Sequence, residues 1–254
     1  MTQEERIYKI KQLLAEKHHL VTRDLATYFA VSFDTARRDV LQLTSTGQAI
    51  RVHGGLIANN QDGVPNFLAR SQIASPIKTK MAQMAKRFVH PNQCDFIGPS
   101  TTLKKLCELI DGLNLQIVTN SIDNSLELMQ ATLPQVRLLG GKIDKTHRFS
   151  YSVTALETLK RMSFNTAFIG TSNVRSDGIY LAKMSDSELI RVAASRAKQV
   201  VVVAEKYKFN SRNNSPYLSI PLSQIDVLIT DEPLPQELSS NFSPNTQIIP
   251  VLRR

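Results

Sequence analysis

Two adjacent arginines, Arg37 and Arg38, follow Ser32, Phe33, Asp34 and Thr35 in the stretch SFDTARRDV. A guanidinium stays charged and holds its donors in a rigid planar fork, which matches phosphate oxygens and the O6/N7 edge of guanine. The chemistry on offer is recognition of double-stranded DNA. It requires a helix that shows Phe33, Asp34, Thr35, Arg37 and Arg38 to one side while its apolar stripe turns to the other. Phosphate contacts, which fix register without reading sequence, are assigned to Thr22, Ser32, Arg51 and a wing carrying His53 and Gly54. Taken alone, Arg37-Arg38-Asp39 also reads as a solvated helix face with Asp39 pairing locally.

A second group sits mid-chain. Ser100, Thr101 and Thr102 stand between an apolar run at 94–98 and the helical stretch LKKLCELI, so hydroxyls and backbone N–H groups meet at a helix start. Such a start suits a phosphate, and Lys208 adds a cationic donor. Plain helix capping by Ser and Thr is the alternative.

The elements needed to position the arginines are legible. Ile7, Ile10, Leu13 and Leu14 recur at helical spacing from about Gln3 to Glu16. Thr22 is read as the N-cap of a second helix, and a third starts at Ser32 with Ala36, Val40 and Leu43 as its buried stripe. Only Ala30, Val31 and Ser32 separate these two helices, a tight turn between crossing helices. Gly47 suits the end of the third helix. Ile50 and Val52 then alternate with Arg51 and His53 before Gly54 and Gly55, as in a short hairpin. The polar stretch 58–66, with Gly63 and Pro65, marks a domain boundary.

Beyond it, apolar β-branched runs alternate with helical stretches: 94–98, 116–120, 136–141, 166–170, 200–205, 227–231 and 247–251. Runs apolar on both faces fit a mainly parallel sheet covered by helices. The fold class is α/β, a small winged helix-turn-helix (residues 1–57) followed by a linker (58–72) and a larger domain (73–254). Several runs end in small or polar residues at what would be one sheet edge, where open α/β folds bind ligands.

Composition sets bounds. A 254-residue chain of 42% hydrophobic and 21% charged residues has material for a substantial core. Its net charge of +9 favours polyanionic partners. The first sixty residues hold eight basic and six acidic side chains, so placement rather than charge must assign that segment to DNA. Two cysteines, Cys94 and Cys107, read as core thiols, and no His/Cys cluster has zinc spacing. No metal, cofactor or catalytic residue is assigned. With neither a signal-like apolar run nor a membrane span, the chain is expected to be cytoplasmic and without a membrane partner.

The pattern Arg6, Ile10, Leu13, then Val31-Ser32, Thr35, Arg37-Arg38-Asp39, Leu43, Gly47, Ile50-Arg51 and His53-Gly54-Gly55 resembles the DeoR family of bacterial transcriptional regulators. The likeness continues through Thr119-Asn120-Ser121, Leu139-Gly140-Gly141, Ala167-Phe-Ile-Gly170, Lys208-Phe209 and Ile229-Thr-Asp-Glu232. It implies a sensor domain related to phosphosugar isomerases, and a repressor of a sugar-metabolism operon whose affinity for its operator a phosphorylated sugar alters. The effector residues so implied are Ser100, Thr101, Thr102, Thr119, Asn120, Ser121, Gly140, Gly141 and Lys208. The likeness departs at Gly98-Pro99-Ser100, where the family has Asp-Ser-Gly before Thr-Thr, at Gly170-Thr-Ser-Asn173, and at Glu205, where Asp is commoner. Pro99 also removes one backbone donor. Those changes keep open a ligand-independent DNA-binding regulator. An isomerase would need a strand-end carboxylate base, which Gly98 does not supply. A single reading helix covers few base pairs, so a homo-oligomer on repeated half-sites is expected.

Overall fold

A computed structural model describes residues 1–17, 19–45, 48–52, 54–58, 67–71, 75–210 and 215–252. The chain divides into two compact units, Met1–Ser75 and Pro76–Arg254.

In the first unit, helix α1 (Gln3–Lys17) is followed by a short strand β1 (His19–Val21), helix α2 (Thr22–Tyr28) and helix α3 (Phe33–Ser45). Strands β2 (Ala49–Val52) and β3 (Gly55–Ala58) form the hairpin, and helix α4 (Phe67–Ser71) closes the described part. Ile10 and Leu14 of α1, Leu25 of α2, and Ala36, Val40 and Leu43 of α3 are buried together with Leu20, Ala49 and Leu56. The expected stripes therefore make one core. Two boundaries shift. Val21 rather than Thr22 occupies the cap position of α2 and gives it no side-chain cap, so Thr22 is already helical. Helix α4 falls inside the expected linker, with Phe67 fully buried. The expected roles of Gly47, Gly63 and Pro65 fall outside the described residues.

The turn between α2 and α3 closes by a helix-terminating pattern. Val31 N–H donates to the Ala26 carbonyl at 3.0 Å and Ala30 N–H to that of Thr27 at 3.1 Å. Ala30 takes the left-handed conformation (φ 51°) that such a stop requires. Helix α3 then opens with the Ser32 hydroxyl accepting from Thr35 N–H at 3.2 Å, a side-chain N-cap.

The wing has a strand that the sequence pattern did not reveal. β1 pairs antiparallel with β3, giving the order β1-β3-β2. A Cβ on Gly55 would lie 2.1 Å from the Leu20 carbonyl oxygen, so only glycine permits that close pairing. Gly54, directly before β3, has φ 82°, again the glycine region.

The second unit begins with α5 (Pro76–Lys86), β4 (Cys94–Ile97), α6 (Thr101–Leu109), β5 (Gln116–Thr119), α7 (Ile122–Leu128) and β6 (Gln135–Leu138). A hairpin of β7 (Lys142–Asp144) and β8 (Phe149–Tyr151) follows, then α8 (Val153–Lys160), β9 (Phe164–Gly170), β10 (Asn173–Arg175) and β11 (Gly178–Leu181). It ends with α9 (Met184–Ser195), β12 (Ala197–Val203), β13 (Tyr217–Pro221), β14 (Val227–Thr230), α10 (Gln236–Ser239) and β15 (Gln247–Pro250).

All seven expected runs enter one parallel sheet, ordered β15-β14-β12-β9-β4-β5-β6. Alternation explains why they read as apolar throughout. Phe96, Ala167, Ile169 and Val202 enter one core, while Ile97, Phe168, Val201 and Val203 enter the core on the other face. The exception is β6, an edge strand whose Gln135, Arg137 and Leu138 are exposed. A smaller antiparallel sheet, β10-β11-β13, and the β7–β8 hairpin were not expected. Cys107 is buried and Cys94 half-buried against the sheet cores.

Candidate functional site

On α3, burial sorts the charged residues. Arg37, Arg38, Asp34, Ser32 and Phe33 are exposed and Thr35 is half-buried. Neither guanidinium is engaged in an ion pair among the described residues. Arg51 and Gly54 of the wing are also exposed, while His53 lies outside the described residues. Ser32 and Thr35 hydroxyls sit 2.9 Å apart and bond to each other.

Two expectations need correction. Asp39 does not share the exposed face of its neighbours: it is 1% exposed. Its Oδ2 accepts from Arg6 Nε at 2.7 Å and its Oδ1 from Arg6 Nη2 at 3.1 Å and Gln3 Nε2 at 3.0 Å. The bidentate fork clamps α1 to α3, and the Asp39 bond holds the Arg6 guanidinium even more firmly protonated than usual. Thr22, expected to touch phosphate, is buried at the base of the wing. Its N–H donates to the Gly54 carbonyl at 2.8 Å, so it offers little surface to a ligand. Its role is to join α2 to the hairpin.

The clamp had a signal. Arg6 falls one turn before Ile10, on the same stripe as Leu14, and Asp39 sits between Ala36 and Val40. A charge on an apolar stripe requires a buried partner.

In the second unit, the chain leaves β6 at one edge and returns to β9 beside β4. The sheet order reverses between β4 and β9, and in open α/β sheets the crevice at the carboxyl ends of the strands flanking such a reversal is the usual ligand position. The loops meet closely there. Gly98 N–H donates to the Phe168 carbonyl at 2.9 Å, and a Cβ on Gly170 would lie 2.6 Å from Ser100 Cβ. A Cβ on Gly98 would meet Ile190 Cδ1 of α9 at 2.8 Å. Ile190 thus occupies the space where the resemblance places a carboxylate.

The expected effector residues are mostly brought together. Thr119 Oγ1 donates to the Ile97 carbonyl at 2.6 Å and accepts from Ser121 N–H at 3.0 Å, tying the β4 and β5 ends. Leu139 N–H donates to the Thr119 carbonyl at 2.8 Å. The Ser150 hydroxyl of β8 bonds the Leu139 carbonyl, which brings the Gly140-Gly141 loop to the same edge. Gly141 is required structurally, since its φ is 142° and a Cβ would lie 2.1 Å from the Tyr151 carbonyl oxygen. Gly140 is exposed. Lys208 is buried in the 3₁₀ turn after β12, its Nζ 4.8 Å from the Tyr207 ring centroid. That places it at the carboxyl end of a strand separated from β4 by β9.

Several hydroxyls are engaged within the fold. Ser100 caps α6 by accepting from Thr102 N–H at 3.2 Å, and Ser121 caps α7 by accepting from Asn124 N–H at 3.2 Å. Thr101 and Thr102 are buried. The open valences lie elsewhere. Asn120 Nδ2 donates to Asp186 Oδ1 at 2.9 Å and Asn124 Nδ2 to the Gly98 carbonyl at 3.0 Å. The carbonyl oxygens of both side chains, themselves fully buried, have no hydrogen-bond partner among the described residues. Two buried acceptors without partners mark the end of β5 and the start of α7 as the polar part of this edge. The sequence reading did not find Asn124 and Asp186, because their role appears only once α7 and α9 converge on the sheet edge.

Burial pushes the Asp186 carboxyl up to about 7, against the lowering effect of the Asn120 bond. Asp95, in β4, is likewise raised to about 7 by burial although Thr166 N–H donates to it at 2.9 Å. A carboxyl raised in the folded state binds a proton that the unfolded chain releases near pH 4. Stability contributed by each is therefore complete below that pH and declines as pH rises toward 7. Asp186→Asn is expected to flatten part of this decline, so that its melting temperature relative to the parent rises between pH 5 and pH 8. A thermal-denaturation series over that range checks it, and parallel curves for the two proteins would refute a neutral Asp186.

Among the described residues no helix is long and apolar enough to cross a membrane, and no group of His, Cys, Asp or Glu is placed to hold a metal ion.

Residues 6–62 match the family profile described as the DeoR-like helix-turn-helix domain, and residues 74–232 that of the DeoR C terminal sensor domain. The HTH-type transcriptional repressor GlcR of Bacillus subtilis is 32% identical over 232 residues, covering 91% of this chain and 89% of the relative. The lactose phosphotransferase system repressor of Streptococcus mutans is 27% identical over 236 residues, covering 91% and 93%. Among solved structures, ribose 5 phosphate isomerase A from Neisseria gonorrhoeae superposes on 54% of each chain with a TM-score of 0.39 and 18% identity, a likeness too slight to argue from. With both profiles matched in tandem and a relative at this identity along nearly its whole length, the chain belongs to the DeoR family.

Proposed function

We propose that this chain is a sequence-specific DNA-binding repressor of a sugar-metabolism operon, released or tightened by a phosphorylated sugar. The observation that carries the DNA half is the exposed, uncommitted pair Arg37 and Arg38 on a helix held from behind by the Arg6–Asp39 clamp. In this reading α3 lies in the major groove, Arg37 and Arg38 meet base edges, and Ser32 and Arg51 with the wing meet phosphates. Residues 1–57 form the reading domain. Residues 73–254 sense the effector and bring copies together, so that two reading helices span repeated half-sites.

For the effector, the sheet edge between β4 and β9 supplies the α6 start for a phosphate, and the Asn120 and Asn124 oxygens, buried in this state, meet sugar hydroxyls only when the edge opens to admit them. The relatives are named as repressors, and we read the edge as a sensing site rather than a catalytic one. At the strand-end position where an isomerase needs its carboxylate base this chain has Gly98, and the carboxyl brought to the edge by α9, Asp186, accepts a hydrogen bond from Asn120 Nδ2 at 2.9 Å.

The test is selection of genomic DNA fragments by the full chain, with and without a panel of sugar phosphates. One sequence class should be enriched, and at least one sugar phosphate should change its recovery and raise the melting temperature. Enrichment that no sugar phosphate alters would leave a ligand-independent regulator; no enrichment would end the DNA reading.

A further inference from the structure

We propose that Phe33 reads the 5-methyl group of a thymine in the bound DNA, within two base pairs of the base met by Arg37. The proposal rests on the DNA-reading role assigned to α3 above and names a base that this role leaves open.

Phe33 is the first residue of α3 and is 53% exposed, on the helix that also exposes Asp34, Arg37 and Arg38. Its ring forms one wall of a shallow concavity of about 310 Å³, whose other walls are Ala26, Val31, Thr27 and Arg23. Ala26 and Val31 extend the apolar wall, and the exposed Arg23 sets a cation at the rim. An apolar wall with one cation at its rim, on a unit that also exposes Arg37 and Arg38, fits a partner that is anionic overall and carries a small apolar group.

Duplex DNA has that composition. Along the major-groove edge every distinguishing base group is a hydrogen-bond donor or acceptor except one, the thymine methyl. A ring without polar atoms at the base-reading end of a helix has that methyl as its match. The distance to the neighbouring contact follows from the helix. Arg37 lies four positions after Phe33, about 6 Å of axial rise. Base pairs are spaced about 3.4 Å apart, which confines the thymine to within two steps of the base that Arg37 contacts.

The experiment starts from a site selected by the full chain from a random duplex library. Each thymine is then replaced by deoxyuridine, which removes only the methyl. At one position per half-site the replacement should weaken binding of the parent chain about three- to fivefold, the amount expected for one buried methyl. Phe33→Ala should bind the thymine and uridine forms equally, at the weakened level, and Phe33→Leu should recover part of the discrimination, which also shows that the variant chains fold. Indifference of the parent chain to uridine at every position overturns the proposal, as does a uridine penalty that survives in Phe33→Ala. In both cases guanine discrimination lost in Arg37→Ala would leave the α3 reading standing. A chain that selects no sequence at all overturns that reading and this proposal together.

Discussion

The chain carrying Arg37→Ala and Arg38→Ala is expected to fold like the parent and to lose specific operator binding. Both side chains are exposed and free of ion pairs among the described residues, so their removal leaves no buried partner unsatisfied, and surface changes of this kind usually stay within about 0.5 kcal/mol. A bidentate Arg–guanine contact discriminates by about 1–3 kcal/mol. Two such contacts give roughly 30-fold to 10⁴-fold per half-site, far above the error of a gel-shift titration. Arg37→Lys with Arg38→Lys separates base reading from phosphate binding. It keeps the charge and discards the fork. If base edges are read, the lysine variant should keep most of its affinity for random DNA while losing preference for the operator. If phosphates are read, the alanine variant should lose affinity uniformly across sequences, with a salt dependence shallower by about one unit of slope per contact. Unchanged operator affinity in the folded double alanine variant would remove α3 as the reading element.

How much of this was legible in the sequence varies with the physics involved. The α3 stripe and the seven parallel strands were readable because burial on one or two faces writes a period directly into residue type, as in Ala36-Val40-Leu43 or Val200–Val203. Strand β1 was not readable. Three residues, His19-Leu20-Val21, carry too little alternation, and the feature that makes their pairing possible is an absent side chain at Gly55, far along the chain. The β10-β11-β13 sheet was hidden for a related reason: β10 is only three residues long, and the β11–β13 pairing is irregular, with a register shift at Ile179/Tyr180.

The candidate site divides in the same way. Thr119, Asn120 and Ser121 could be named because small polar residues directly follow an apolar run. Their separate tasks could not, since Thr119 stitches two strands, Ser121 caps a helix, and Asn120 keeps an oxygen open. Asp186 lies two residues into α9 and reads as an ordinary first-turn acid. Only the contact with Asn120, 66 positions away, makes it part of the site.

Asp39→Ala should abolish operator binding without touching the reading face. Arg6 and Asp39 are both buried, at 8% and 1% exposure, and deleting one partner leaves the other charge uncompensated inside the protein, at a cost of about 3–5 kcal/mol. Whole domains are stable by only about 5–15 kcal/mol, and units of this size lie toward the lower end. The loss should fall on the first unit alone, since α1 and α3 are the elements the clamp joins. Amide exchange of the full chain reads this directly: protection should collapse in α1 and α3 and persist in β9 and β12. The paired replacement Arg6→Met with Asp39→Leu distinguishes a clamp from a mere charge requirement, because a well-packed apolar pair commonly matches or exceeds a buried ion pair. The double variant should regain protection and, with Arg37 and Arg38 again held outward, operator binding. If Asp39→Ala alone kept α3 protected within about 1 kcal/mol of the parent, the fork between Arg6 and Asp39 would not be what holds the reading helix in place.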